Sequence, residues 1–274
     1  MRSLRPLAPY ALSGLALCLL LGGCAHRSAT EVAQLPQPKD GVLTFNAQDK
    51  TRWETVSFPG KQQTLFQTET HDQRLAMRAI AKSSASMLRQ RLNLAPDKLN
   101  QLSFDWQADA LIAQADMGQR ESEDSPLRVI LAFEGDRSRF SAKNAMLNEL
   151  SRSLTGEEMP YATLMYVWCN HRPVESVIVN PRTDRIRQLV VETGPGRLKQ
   201  WLRYERDIRA DYEKAFGEPP GALVGLAIMT DTDNTQSQAR AWYGTIRLTE
   251  RSNRFNLSVY KKTPPCCHGG VFDF

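Results

Sequence analysis

The sequence predicts a mainly β protein: an antiparallel β-sandwich of jelly-roll type carrying two short helical insertions. Three observations predict it. Most apolar segments are short and rich in β-branched or aromatic residues, with polar residues alternating between them. Strands and helices do not alternate along the chain, which argues against a doubly wound dinucleotide fold. Only two stretches leave the period of two for helical spacing.

In chain order, strands are expected at 55–59, 64–70, 75–81, 87–94, 102–107, 128–134, 163–168, 176–179, 188–192, 222–229 and 241–248. In the second of these, Leu65, Gln67 and Glu69 alternate against Phe66, Thr68 and Thr70, so one face can turn inward. The first helix is expected over 141–154, with Ala145, Leu147, Leu150 and Leu154 near helical spacing. Ser141 supplies an N-cap and Gly156 lies just past the end. The second helix is expected over 206–216, with Ile208, Tyr212 and Ala215 on one face and Gly217 as its stop. Beyond the last of these strands, residues 251–274 read as a tail that adds an edge strand near 255–260.

The N-terminus is an address. Arg2 and Arg5 precede an apolar run at 11–23, too short to span a bilayer, which needs ~20 residues. It reads as a secretory signal peptide. The run closes on Leu21, Gly22, Gly23 and Cys24, which resembles the bacterial lipobox. Cys24 is then the lipidation site and the mature N-terminus, and acyl chains rather than a helix tie the chain to a membrane. Ala25 follows Cys24. By the same resemblance this fits an outer membrane, with the domain facing the periplasm. Residues 24–50 are mixed polar with Pro36 and Pro38 and read as the lipidated cysteine and its tether. The sandwich domain is expected over 51–250.

This changes how the charge is read. Of 274 residues, 35 are Lys or Arg and 30 are Asp or Glu, giving +5. Signal removal deletes Arg2 and Arg5 and no acid, leaving 35 − 2 − 30 = +3. Nothing in that balance points to nucleic acid. With 41% hydrophobic and 24% charged residues the chain is globular in composition.

Cys18 leaves with the signal and Cys24 is acylated, so Cys169, Cys266 and Cys267 remain. Adjacent thiols make poor chelators, because metal sites space their cysteines by about two to four residues. A Cys169–His171 nucleophile fits an oxidising compartment badly. The chain has no nucleophile elbow, no P-loop and no paired-histidine zinc motif.

The densest polar cluster is the loop after strand 222–229. Asp231, Asp233 and Asn234 offer several oxygens within four residues. They suit sugar hydroxyls, or a hard cation such as calcium held by Asp231 and Asp233. Read conservatively, the same loop is an Asx-turn network that closes a hairpin. Asp124 is a candidate further oxygen donor. Of Trp53, Trp106, Trp168, Trp201 and Trp242, the two expected as stacking platforms for a sugar are Trp106 and Trp168. Core packing is the alternative for most of these rings.

Residues 164–168 (LMYVW), 190–194 (VVETG), 215–220 (AFGEPP), 225–235 (GLAIMTDTDNT) and 241–246 (AWYGTI) occur in order. Together they resemble a bacterial family known as domain-of-unknown-function 3047, over roughly residues 52–248. The resemblance implies an exported protein, often a lipoprotein, with no established activity. Its general look is similar to jelly-roll carbohydrate-binding modules. Members tend to carry two aspartates before the strand matching 128–134, where this chain has Glu123 and Asp124. The expected function is non-catalytic binding of a glycan or cell-envelope component by a membrane-anchored lipoprotein. Two alternatives are an envelope hydrolase or its accessory subunit, and a scaffold lipoprotein that binds another envelope protein.

Overall fold

Alternation of apolar and polar residues builds fourteen strands among the residues described by the computed structural model, 35–251. In order they are β1 Val42–Phe45, β2 Glu54–Ser57, β3 Leu65–His71, β4 Arg74–Lys82, β5 Ser86–Leu94, β6 Gln101–Ala108 and β7 Ser125–Phe133, then β8 Ala162–Cys169, β9 Val177–Val179, β10 Ile186–Thr193, β11 Leu202–Asp207, β12 Leu223–Asp231, β13 Gln238–Tyr243 and β14 Ile246–Thr249. The helices are α1 Ala142–Thr155 and α2 Ile208–Phe216. The expected signal segment 1–23, the expected lipidation site Cys24, the expected edge strand near 255–260, Cys266 and Cys267 lie outside the described residues.

Two sheets of seven strands face each other. In the first, β6 pairs with β11 on one edge. On its other edge it pairs with β14 near its start and β13 near its end. Beyond them, β1 pairs with β14, while β4 and then β3 extend from β13. The second sheet runs β2-β5-β12-β7-β8-β10-β9. The expected antiparallel sandwich is present with one exception, since β10 runs parallel to β8.

The facing sides of the sheets make the core. Phe104, Trp106 and Tyr243 of the first sheet meet Val129, Leu131, Phe133, Tyr166, Trp168, Leu226 and Ile228 of the second. Period-two alternation sends the residues between them to the outer faces. Segment 109–124 lies against the outer face of the second sheet, where Met117 packs on Val167, Cys169, Ile178 and Val190. Cys169 is thus buried, which removes it as an accessible nucleophile.

Four sequence expectations are corrected. The tether does not run to residue 50, because Val42–Phe45 joins the first sheet as β1 and buries Leu43 and Phe45. The single strand at 241–248 is two, broken at Gly244, whose N–H turns to the carbonyl of Asp105 at 2.8 Å. The second helix begins at Ile208. Arg206 and Asp207 close β11, which the sequence reading missed, and Asp207 caps the helix by accepting from the Ala210 N–H at 3.0 Å. The first helix has the expected Ser141 cap and left-handed Gly156 stop, but its predicted apolar face does not face the core. Asn144 and Asn148 are the residues it buries.

Candidate functional site

The loop singled out by sequence closes the second sheet at one end. Asp231 is the last residue of β12 and points outward beside Arg128 of β7. Arg128 donates from Nε to Asp231 Oδ1 at 2.9 Å and from Nη2 to Oδ2 at 3.1 Å. Arg128 also donates to Gln188 Oε1 at 2.6 Å and to the Glu123 carbonyl at 2.9 Å. Asp124 accepts from the Asn234 and Thr235 N–H groups at 3.2 and 2.7 Å and from the Thr235 hydroxyl at 2.6 Å. Asp233 pairs with Lys61. Arg182 and Asn180 hold Glu123.

The structure brings three of the carboxylates singled out in the sequence close together. One oxygen or more from each of Asp124, Asp231 and Asp233 lies within 4.8 Å of the others. Their partners, however, are already in place. Both oxygens of Asp231 take Arg128, both of Asp124 take the loop, and Lys61 supplies the charge opposite Asp233. A calcium ion would have to displace these bonds, so the donor set fits the ion poorly. The conservative reading describes the loop: it is a hydrogen-bonded turn, with Asn234 donating to Asp124 from both its backbone and side-chain nitrogens.

The tryptophan expectation is corrected. Trp106 and Trp168 are both 0% exposed and sit between the sheets. Trp106 packs against Phe104 and Tyr204, and Trp168 donates to the Gly194 carbonyl at 3.0 Å. Neither ring has a free face for a sugar.

The outer face of the first sheet carries other rings, of which Trp242 is 5% exposed. Register aligns Gln67, Arg78, Trp242 and Gln107 in one row across β3, β4, β13 and β6. All four lie on the side opposite the core. His71, at the end of β3, stacks on Trp242 with centroids 3.8 Å apart and planes 3° from parallel. Trp201 lies 6.3 Å from His71 at a tilt, with the Arg74 guanidinium 5.3 Å from its ring. Trp242 donates from Nε1 to Glu69 at 2.7 Å, and Arg78 pairs with the same carboxylate at 2.7 Å. Arg240 pairs with Asp109 at 2.7 Å. Glu69, His71, Arg78, Asp109, Arg240 and Trp242, with Gln107, Asp72 and Lys199, line an open depression of about 420 Å³.

The polar atoms of this face are incompletely satisfied. Gln107 Oε1, His71 Nε2, Arg78 Nε and Trp201 Nε1 are buried without a hydrogen-bond partner in the protein. A buried polar atom left unpaired costs about 1–3 kcal/mol, and folded proteins contain few of them. Of these residues, Gln107, His71 and Arg78 line the depression. His71 Nε2 lies 3.5 Å from Asp72.

Three carboxyls rise above their ordinary range. Burial pushes Asp231 up to about 7 against the pull of Arg128. Burial also raises Glu123 and Asp105. The first two are sealed in the ion-pair cluster, and Asp105 is held 3.7 Å from Arg74 beside Gly244. The carboxylates that line the depression are Glu69, Asp72 and Asp109.

Sequence reasoning named Trp242 and Trp201 but did not assign them a site, and it left His71 without a role. The available signal was alternation in β13, where Arg240 and Trp242 oppose Ala239, Ala241 and Tyr243. Which strands flank Trp242 is decided by pairing far along the chain.

Solved structures of similar fold include a family 11 carbohydrate-binding module of the cellulosomal cellulase Lic26A-Cel5E of Clostridium thermocellum. It is 10% identical, with TM-score 0.38, over 77% of this chain and 95% of that one. Endoglucanase 3 of Trichoderma harzianum, from family GH12, is 6% identical with TM-score 0.38 over 78% and 100%. The xyloglucanase domain of NopAA, a type three effector from Sinorhizobium fredii, is 9% identical with TM-score 0.33 over 73% and 98%. No curated protein matches the sequence. Residues 51–247 match the family described as protein of unknown function (DUF3047). That span takes in the inter-sheet core, the Asp231 loop and most of the Trp242 face, and the protein is a member of the DUF3047 family.

Proposed function

We propose that the protein is an exported lipoprotein, acylated at Cys24, whose domain binds a cell-envelope glycan without cleaving it. The binding surface is the outer face of the first sheet around Trp242, His71 and Trp201. One observation supports this reading: Gln107, 3% exposed and with an unpaired Oε1, lines an open depression together with His71, Trp242 and charged groups. Glycans present hydroxyls that both donate and accept, beside C–H faces that pack on rings. The depression has the size of a small-molecule site, ~300–1,000 Å³.

Isothermal titration calorimetry of the full chain tests it. The probes are peptidoglycan glycan strands, neutral gluco-oligosaccharides and uronic-acid oligosaccharides. Saturable binding to one class, lost on Gln107→Leu with the fold retained, is the expected result. Absence of binding to all three classes overturns the reading. Release of shortened oligosaccharides during the titration would instead favour the hydrolase alternative. Mass spectrometry of the exported chain tests the anchor, with a diacylglyceryl-modified Cys24 as the expected N-terminus.

A further inference from the structure

Helix α1 is inverted relative to an ordinary surface helix. Its polar side chains hold it to the domain. Asn144 accepts from the Thr183 hydroxyl at 2.8 Å and donates to Asp184 at 2.6 Å. Asn148 accepts from the Met159 N–H at 2.9 Å, and Ser151 donates to the Glu157 carbonyl at 3.0 Å. At ~100° per residue, Met146, Leu150 and Leu154 form a stripe on the side facing away from Asn144 and Asn148. They are 63%, 51% and 60% exposed. Lys143 falls on the same stripe, at its N-terminal end. Both helix ends are capped, so the helix is set in place with its apolar side outward.

We infer that this stripe docks on the bilayer to which Cys24 ties the chain, an inference that rests on the acylation reading above. Three arguments select a membrane as the occupant. Residues 24–34 can reach no further than ~40 Å when fully extended, at ~3.3–3.6 Å each, so an acylated Cys24 keeps the domain near the surface. Three side chains fall well short of the ~800 Å² per partner that a stable protein interface buries. They are enough for shallow insertion, because weak apolar contacts add to an acyl anchor as a second signal. Charge also fits. Lys143 can lie among anionic headgroups while its stem follows the stripe, and the neighbouring acid Glu149 is paired with Arg152 at 2.7 Å.

The test places an indole on the stripe. Full-length acylated chain carrying Leu150→Trp is reconstituted into phosphatidylethanolamine–phosphatidylglycerol vesicles, with and without brominated acyl chains. The added emission should shift to the blue and be mostly quenched by the brominated lipid. Adding Met146→Glu and Leu154→Glu should abolish the quenching. A chain that floats with the vesicles but shows no quenching overturns the docking and leaves the anchor standing. A blue shift without quenching also overturns it, and places a second copy or another protein on the stripe. A chain that fails to float overturns the anchor and the docking together.

Discussion

Arg128 grips both oxygens of Asp231 across the outer face of the second sheet, at 2.9 and 3.1 Å, and both side chains are nearly sealed from solvent. This pair, rather than a ligand, uses the carboxylate that the sequence offered as a binding group. Asp231→Ala strands the Arg128 charge in the protein and should cost about 3–5 kcal/mol. Urea denaturation of the two chains measures it. Replacing the pair together, as Arg128→Met with Asp231→Leu, should recover much of that loss, because no buried charge is then left uncompensated. A destabilisation under about 1 kcal/mol for Asp231→Ala, at the scale of an exposed pair, would return the loop to the list of binding candidates.

The same residue predicts a pH dependence. Burial raises the folded-state pKa of Asp231 from 3.8 to about 7, outweighing the opposing pull of Arg128. A carboxyl raised on folding contributes stability that is full below its unfolded value and lost as pH rises through the folded one. Glu123, raised by burial in the same cluster, acts in the same direction. Glu175 acts oppositely and in another window. Hydrogen bonding to Arg206 helps pull it from 4.5 to about 2, so its contribution is lost only as pH falls toward 2. Melting temperature should therefore decline between about pH 4 and pH 7 more steeply in the native chain than in Asp231→Asn. Parallel slopes would show that Asp231 does not titrate in that range.

Tryptophans should divide by face. Trp168→Ala opens a cavity between the sheets and should cost about 3–5 kcal/mol. Trp201→Ala, beside His71 on the outer face, should leave stability within about 1 kcal/mol, as expected of a substitution away from the core. It should nonetheless weaken glycan binding by about tenfold, the ~1.4 kcal/mol of one lost ring contact. Thermal melts alongside calorimetry separate the two effects. Loss of binding that tracks loss of fold in both variants would remove the outer face as the site.

Gly221 is a backbone test. A methyl group there would collide with the Glu134 carbonyl, at the point where the Ala222 carbonyl receives the Glu134 N–H at 2.8 Å. Backbone cannot step aside as a side-chain tip can. Gly221→Ala should therefore cost more than the ~1 kcal/mol typical of a point substitution, read from the shift in denaturation midpoint. Gly156→Ala, with open space around its Cβ position but φ of 76°, isolates the cost of the left-handed backbone alone.

Much of the fold was legible because its signals are local. Alternation located most of the strands to within a few residues. Ser141, Gly156 and Gly217 marked helix ends because an orphan N–H or a left-handed turn needs that chemistry at that position. β11 escaped because Arg203, Glu205 and Asp207 fill its outer face and the helical pattern of 206–216 overlaps its end. The break at Gly244 escaped because its cause, the Asp105 carbonyl, lies far away in the chain.

The site divides along the same line. By itself the sequence determined the class of fold and the polar loop at 231–235, since each is written in neighbouring residues. Only the tertiary structure decided what those residues do. Whether an aspartate meets a ligand or Arg128, and whether a tryptophan faces the core or solvent, depends on which strands become neighbours. Pairing β13 with β4 and β6 put Trp242 in a row with Arg78 and Gln107. Turning α1 on its asparagines put Met146, Leu150 and Leu154 outside. Local pattern sets which way successive side chains alternate, and long-range pairing sets what each side meets.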